Sequence, residues 1–129
     1  MDKDELEFLK ELRDEFYQDT PEQLDSCEEI ILTFKTTGDK SNIDKLKRTI
    51  HSLKGSAQAV DLANMASFFH KFETILAASS GCTNISNLVN FLLLFVEGIR
   101  NYLSSLRTAG DCTSCETNLT TLLNINKIE

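Results

Sequence analysis

The sequence contains only two histidines, His51 and His70, and both stand near residues suited to phosphoryl chemistry. His51 begins the run H-S-L-K-G, so Lys54 follows it by three residues, and Glu73 follows His70 by three. A neutral imidazole is a nucleophile, a carboxylate can fix which ring nitrogen carries the proton, and an ammonium group neutralises an arriving phosphate. These four residues therefore predict a histidine that accepts and donates a phosphoryl group.

Two consecutive amphipathic helices are predicted to position this group. Apolar residues recur three and four apart over residues 43–60, and His51 lies about 100° around the axis from that buried seam. Asp61 is predicted to end this helix, and a second helix covers residues 62–78. In an antiparallel pair, His51, ten residues before Asp61, lies at nearly the height of Glu73, twelve residues after it. Glu73 is therefore expected to accept a hydrogen bond from His51 Nδ1–H, which leaves Nε2 as the free nucleophile.

The flank around His51 is predicted to be a docking surface for another protein. Glycine inside a helix costs about 1 kcal/mol relative to alanine, and removing bulk beside His51 is a reason to accept that cost. Lysine and arginine side chains gather on the same flank of an otherwise acidic chain, where they suit the acidic pocket of a partner. The predicted docking residues are Lys47, Arg48, Gly55, Gln58 and Lys71.

The remaining chain is predicted to be helical as well. A short helix is expected over residues 3–17, and Thr20-Pro21-Glu22-Gln23 carries the capping signals of a second helix that ends at Gly38. Residues 88–106 predict a long central helix, and residues from Cys115 to about Ile125 a short closing one. The predicted fold class is all-α, an antiparallel up-down helical bundle with a four-helix core and additional short terminal helices.

Composition excludes several classes of protein. The net charge of −7 argues against nucleic acid as the main partner. The most apolar run, residues 88–96, is well short of the roughly 20 residues that span a bilayer, and residues 1–16 lack the apolar region of a signal peptide. No membrane contact and a cytoplasmic location are expected. The four cysteines, among them the C-x-x-C of Cys112 and Cys115, are expected to be free thiols, because no second pair with metal-ligand spacing accompanies them.

The run T-I-H-S-L-K-G-S-A resembles the H-x-L-K-G phosphorylation motif of histidine-containing phosphotransfer (HPt) domains of bacterial two-component phosphorelays. The set of His51, Lys54, His70 and Glu73 is similar to that of the N-terminal phosphotransfer domain of CheA-type chemotaxis kinases. The resemblance runs from about residue 12 to residue 106, and it implies one HPt-like bundle over residues 1–129. It departs from the family pattern at Gln58 and Asp61, where the family usually has glycine.

The resemblance also implies roles and partners. His51 would be phosphorylated, with Lys54, His70 and Glu73 as supporting residues. The implied partners are a response-regulator receiver domain and the catalytic domain of a histidine kinase. No cofactor is expected on this domain, since the sequence has no glycine-rich phosphate loop or Walker pattern, and Mg²⁺ is expected on the partner.

Two other readings of the same residues stay open at this point. One is a binding module that regulates a histidine kinase or a receiver without exchanging phosphate. The other is a metal site of His51, His70 and Glu73, a reasonable ligand set for zinc, although Lys54 beside it is unfavourable.

Overall fold

Helices make up all the regular structure of residues 2–81, 83–110 and 112–124, which are the residues described by the computed structural model. The prediction of an all-α fold is therefore confirmed. In chain order they are α1 (Lys3–Thr37), α2 (Ser41–Ala59), α3 (Ala63–Ala78), a single 3₁₀ turn (Ser79–Gly81), α4 (Ile85–Ala109) and α5 (Thr113–Asn124).

The first predicted break is wrong, because α1 continues through Pro21 without interruption. Proline removes one backbone hydrogen bond from a helix interior, which favours a restart when only the local sequence is considered. The buried stripe of α1, however, stays in phase across the proline at spacings of three and four. Its members are Phe16, Thr20, Leu24, Cys27, Ile31 and Phe34. Thr20, predicted to cap a new helix, is instead buried inside this stripe.

The four long helices form the bundle core, and α5 covers one side of it. Helix α1 packs against α2 and α4, α2 packs against α3, and α5 packs against α4 and α3. Aromatic side chains fill the space between α3 and α4. Phe72 and Phe95 stack with ring centroids 3.7 Å apart, and Phe69 meets Phe95 edge to face at 6.2 Å. This aromatic layer fixes α3 against α4 directly behind Glu73.

The turn between α2 and α3 is built as the sequence predicts. Asp61 has a positive φ of 58°, the left-handed conformation that ends many helices. Its N–H donates to the Gln58 carbonyl, and the N–H of Leu62 donates to the Ala57 carbonyl, the bond pair of a Schellman motif. Arg13 of α1 adds a contact that the sequence did not reveal, since its Nε donates to the Val60 carbonyl at 2.7 Å.

The conformation of Asp61 predicts the effect of substitution. Asp61→Val is expected to lower the free energy of unfolding by about 1–2 kcal/mol, because a β-branched side chain is strained at positive φ. Asp61→Gly is the control and should be at least as stable as the parent protein. Urea unfolding followed by circular dichroism measures both. Equal midpoints for Asp61→Val and the parent would contradict the structure of this turn.

The cysteines depart in part from the expectation of free thiols. Cys112 and Cys115 are joined by a disulfide at the start of α5. Cys27 is buried between the helices, and burial raises the pKa of its thiol to about 12, so it packs as an inert apolar residue. Cys82 and Ile125 lie outside the described residues. Within the described ranges, no helix is both long and apolar enough to cross a bilayer.

Candidate functional site

The helical period of α2 separates a buried face from the face that carries His51. Leu46, Ile50, Leu53 and Ala57 are fully buried and fix the rotation of α2 in the bundle. His51 follows Ile50 by one residue and therefore points to the flank, where 69% of its side chain is exposed. The prediction that this imidazole protrudes from the bundle is confirmed.

The pairing of His51 with Glu73 is also present. His51 Nδ1 lies 3.0 Å from Glu73 Oε2, across the groove between α2 and α3. An ionised carboxylate only accepts hydrogen bonds, so the proton of this bond is on Nδ1. The lone pair of the neutral ring is then on Nε2, the nitrogen that is not held by Glu73.

Lys54 binds the other oxygen of the same carboxylate. Its Nζ lies 2.6 Å from Glu73 Oε1, and its side chain is only 16% exposed. Lys54 was predicted to neutralise an arriving phosphoryl group, and its contact with Glu73 was not predicted. Glu73 therefore bridges the nucleophile and the cation, which lie one helical turn apart on α2.

The ionisation of Glu73 follows from these contacts. Burial alone would raise the pKa of Glu73, but the contacts from Lys54 and then His51 outweigh it and lower the pKa below its ordinary value of 4.5. A group with a lowered pKa stabilises the fold fully above its unfolded-state value, and that contribution is lost as the pH falls through the folded-state value. Near neutral pH the carboxylate is thus ionised and able to orient His51.

The predicted docking residues of α2 lie on the surface around the triad of His51, Lys54 and Glu73. Arg48, Gly55 and Gln58 are exposed, and a Cβ added at Gly55 would meet nothing within 4 Å. Internal packing therefore does not require glycine at this position. Lys47 lies one turn before His51 on α2. It is half-buried, and its Nζ is 4.0 Å from Asp44 Oδ1.

His70 and Lys71 lie on the exposed surface of α3. No hydrogen bond or ion pair of the described residues joins His70 to His51, Lys54 or Glu73, and its supporting role stays a prediction. Over the same residues, no group of three or more histidine, cysteine or acidic side chains is arranged to hold a metal ion.

Comparison with known proteins defines the class of this chain. Residues 11–109 match the Hpt domain family, which covers most of the chain and includes every residue of the triad. The chain therefore belongs to the Hpt domain family, and it is a histidine phosphotransfer module of a phosphorelay. Members of this class interact with kinases and with receiver domains.

Two curated relatives refine the comparison. The chain is 32% identical to the chemotaxis protein CheA of Borreliella burgdorferi over 98 residues, 74% of this chain and 11% of that protein. It is 35% identical to the chemotaxis protein CheA of Rhizobium meliloti over 69 residues, 53% of this chain and 9% of that protein. The chain thus spans about a tenth of the length of these relatives. No solved structure matches it.

Proposed function

We propose that His51 is the residue that carries the phosphoryl group and that Nε2 is the reacting atom. The observation that supports this most strongly is the hydrogen bond from His51 Nδ1 to Glu73, because it leaves the free lone pair on Nε2 of a side chain that is 69% exposed. His51 accepts the group from a kinase domain or a phosphorylated receiver domain and passes it to a receiver aspartate. The names of the two relatives favour a chemotaxis phosphorelay.

The proposed step balances charge within the triad. Nε2 attacks phosphorus and an N–P bond forms, while the bond from phosphorus to the donor oxygen breaks and that oxygen keeps the electron pair. The ring now carries a positive charge, which the Glu73 carboxylate compensates through Nδ1–H. In the return step the receiver carboxylate oxygen attacks phosphorus, and the electrons of the N–P bond return to Nε2.

Lys54 supplies the positive charge next to the transferring group. Its short contact with Glu73 positions the ammonium before any phosphate arrives, which removes part of the ordering cost of the reaction. Arg48 and Lys71 extend the positive surface and favour the approach of an acidic receiver. Mg²⁺ is proposed to be held by the partner, and a cytoplasmic location remains a prediction.

The test uses a small phosphodonor followed by a receiver. The protein is incubated with phosphoramidate, whose P–N bond breaks to release ammonia, and acid-labile phosphate on the protein is measured. Purified receiver domains from the same genome are then added one at a time. The proposal predicts loading of the protein and loss of the label to at least one receiver. A protein that binds a receiver but neither gains nor passes phosphate would instead be a regulatory binding module.

Lys54→Met tests the role of the ammonium group. Removing one charge that stabilises the transferring group is expected to slow loading on the order of 100-fold. The pKa of Glu73 should also rise, because burial then opposes only the contact from His51. As the pH falls, loading by the variant should therefore decline earlier than in the parent protein.

Carbon-13 NMR of the Glu73 carboxyl, together with rates of loading over the acidic range, measures both effects. Lys54→Arg keeps the charge and serves as the control. An unchanged Glu73 titration in Lys54→Met would contradict the ion pair.

A further inference from the structure

A cavity of about 330 Å³ opens at the end of the bundle where α1 turns into α2. Apolar side chains from three helices form part of its wall: Phe34 of α1, Ile43 of α2 and Leu88 of α4. All three are almost fully buried from solvent, so the cavity reaches the hydrophobic core. Nothing assigned to the phosphotransfer triad explains this opening.

Charged side chains also contribute to the lining. Lys40, Lys47 and Asp44 all contribute to it, which gives the site a net positive charge in a protein whose total charge is −7. Asp44 lies 4.0 Å from Lys47, the outer limit of an ion pair, and both side chains reach solvent. The lining therefore suits an apolar group that carries a negative charge beside it.

Two residues of the cavity wall, Asp44 and Lys47, lie on the stripe of α2 that carries His51. Asp44, Lys47, His51 and Lys54 recur three and four apart and so follow one stripe of α2. Lys47 lies one helical turn, about 6 Å along the axis, from His51. A domain that exchanges phosphate with His51 therefore comes close to the Lys47 side of the cavity.

The position of the cavity, with Lys47 of its wall one turn from His51, favours one side chain of a protein partner as the occupant. One apolar side chain fits into it, and a free molecule of that size would lose its translational and rotational entropy for this contact alone. Within a larger interface that entropy is lost only once, and a single buried apolar residue commonly acts as an anchor.

We infer that the receiver domain that exchanges phosphate with His51 anchors itself in this cavity through one apolar side chain next to a carboxylate that pairs with Lys47. The inference rests on the proposed function. It adds a second contact between the two domains, at Lys47, about one helical turn from His51. A receiver fits this chemistry because its own acceptor is a carboxylate, so its reacting face must approach a basic surface.

Ser41→Phe tests the inference, because Ser41 lines the cavity and is exposed, so a phenyl group can fill the opening without disturbing the core. The receiver used is one that removes the label from the parent protein. The expected result is a KM for the receiver raised about tenfold or more, with unchanged loading by phosphoramidate. Ser104→Phe, at an exposed position of α4 outside the cavity, is the matched control.

The charge is tested separately by Lys47→Glu, with the exposed Lys10→Glu of α1 as its control. Methyl NMR of Ile43 and Leu88 should show shifts when the receiver binds the parent protein and none when it is added to Ser41→Phe at the same concentration. A KM for Ser41→Phe equal to that of Ser104→Phe would overturn the anchor while leaving the proposed function intact. A parent protein that neither loads nor transfers phosphate would overturn both.

Discussion

Replacing His51 with glutamine is expected to abolish acid-labile phosphorylation of the protein. Glutamine is similar in size and polar, but its amide nitrogen has no lone pair available for attack on phosphorus, so no N–P bond forms. The fold should be retained, because 69% of the His51 side chain is exposed and its neighbour Ile50 supplies the buried contact. Phosphoramidate loading, measured by mass spectrometry at neutral pH, provides the result.

The chain itself supplies the control, since it has only one other histidine. His70→Gln should load at a rate close to that of the parent protein, because His70 has no hydrogen bond or ion pair to the triad within the described residues. If His70→Gln instead lost the label and His51→Gln kept it, the assignment of the two histidines would be reversed. Equal labelling of both variants would show that neither position is specifically activated.

Replacing Glu73 with glutamine is expected to have the second large effect, a lower rate of His51 loading. The amide can still accept a hydrogen bond, but it cannot balance the positive charge that develops on the ring, and its own N–H donors face Lys54. Loading is expected to slow roughly 10- to 100-fold, by analogy with the loss seen when a group that orients a metal-binding histidine through its second nitrogen is removed. The rate is measured at saturating phosphoramidate, so that the loss is assigned to the chemical step.

A purely structural role for Glu73 would give a different pattern. Nitrogen-15 NMR of the imidazole separates the two cases, since Glu73→Gln should populate both neutral tautomers of His51 while the parent protein populates one. Glu97→Gln changes an exposed carboxylate of α4 that forms no ion pair with any other described residue, and it is the control for loss of charge alone. If Glu73→Gln loads slowly while the tautomer of His51 stays unchanged, orientation of the imidazole ring is not the cause of the slower loading.

The α2–α3 hairpin could be predicted from the sequence because two independent patterns agree there. The apolar seam of α2 fixes the rotation of the helix, and Asp61 fixes the position of the turn. Together they determine the position of His51 along α2 and the direction in which it points toward Glu73. The 3.0 Å contact between His51 Nδ1 and Glu73 Oε2 follows from this. Local rules are sufficient when rotation and register are both set nearby in the chain.

Pro21 shows where local rules fail. Capping signals at Thr20 to Gln23 favour a new helix, but burial of one continuous stripe on α1 against α2 and α4 outweighs the missing hydrogen bond. The contact of Arg13 with the end of α2 was missed for a related reason, since its partners are carbonyl oxygens 47 and 48 residues away. Neither feature leaves a pattern in the local sequence.

The contact between Lys54 and Glu73 was only half predicted. The sequence places each beside His51, but it does not show that one carboxylate serves both the imidazole and the ammonium. That arrangement depends on side-chain conformations in the groove between α2 and α3. The cavity near Lys47 was missed because three helices and two connecting turns form it together.

The most direct measurement of the central proposal is the position of the phosphoryl group and of the proton on the His51 ring. Nitrogen-15 and phosphorus-31 NMR of the protein before and after phosphoramidate loading reports both. The proposal predicts a proton on Nδ1 in the free protein and phosphorus coupled to Nε2 in the loaded one. A proton on Nε2 in the free protein, or phosphorus bonded to Nδ1, would contradict it.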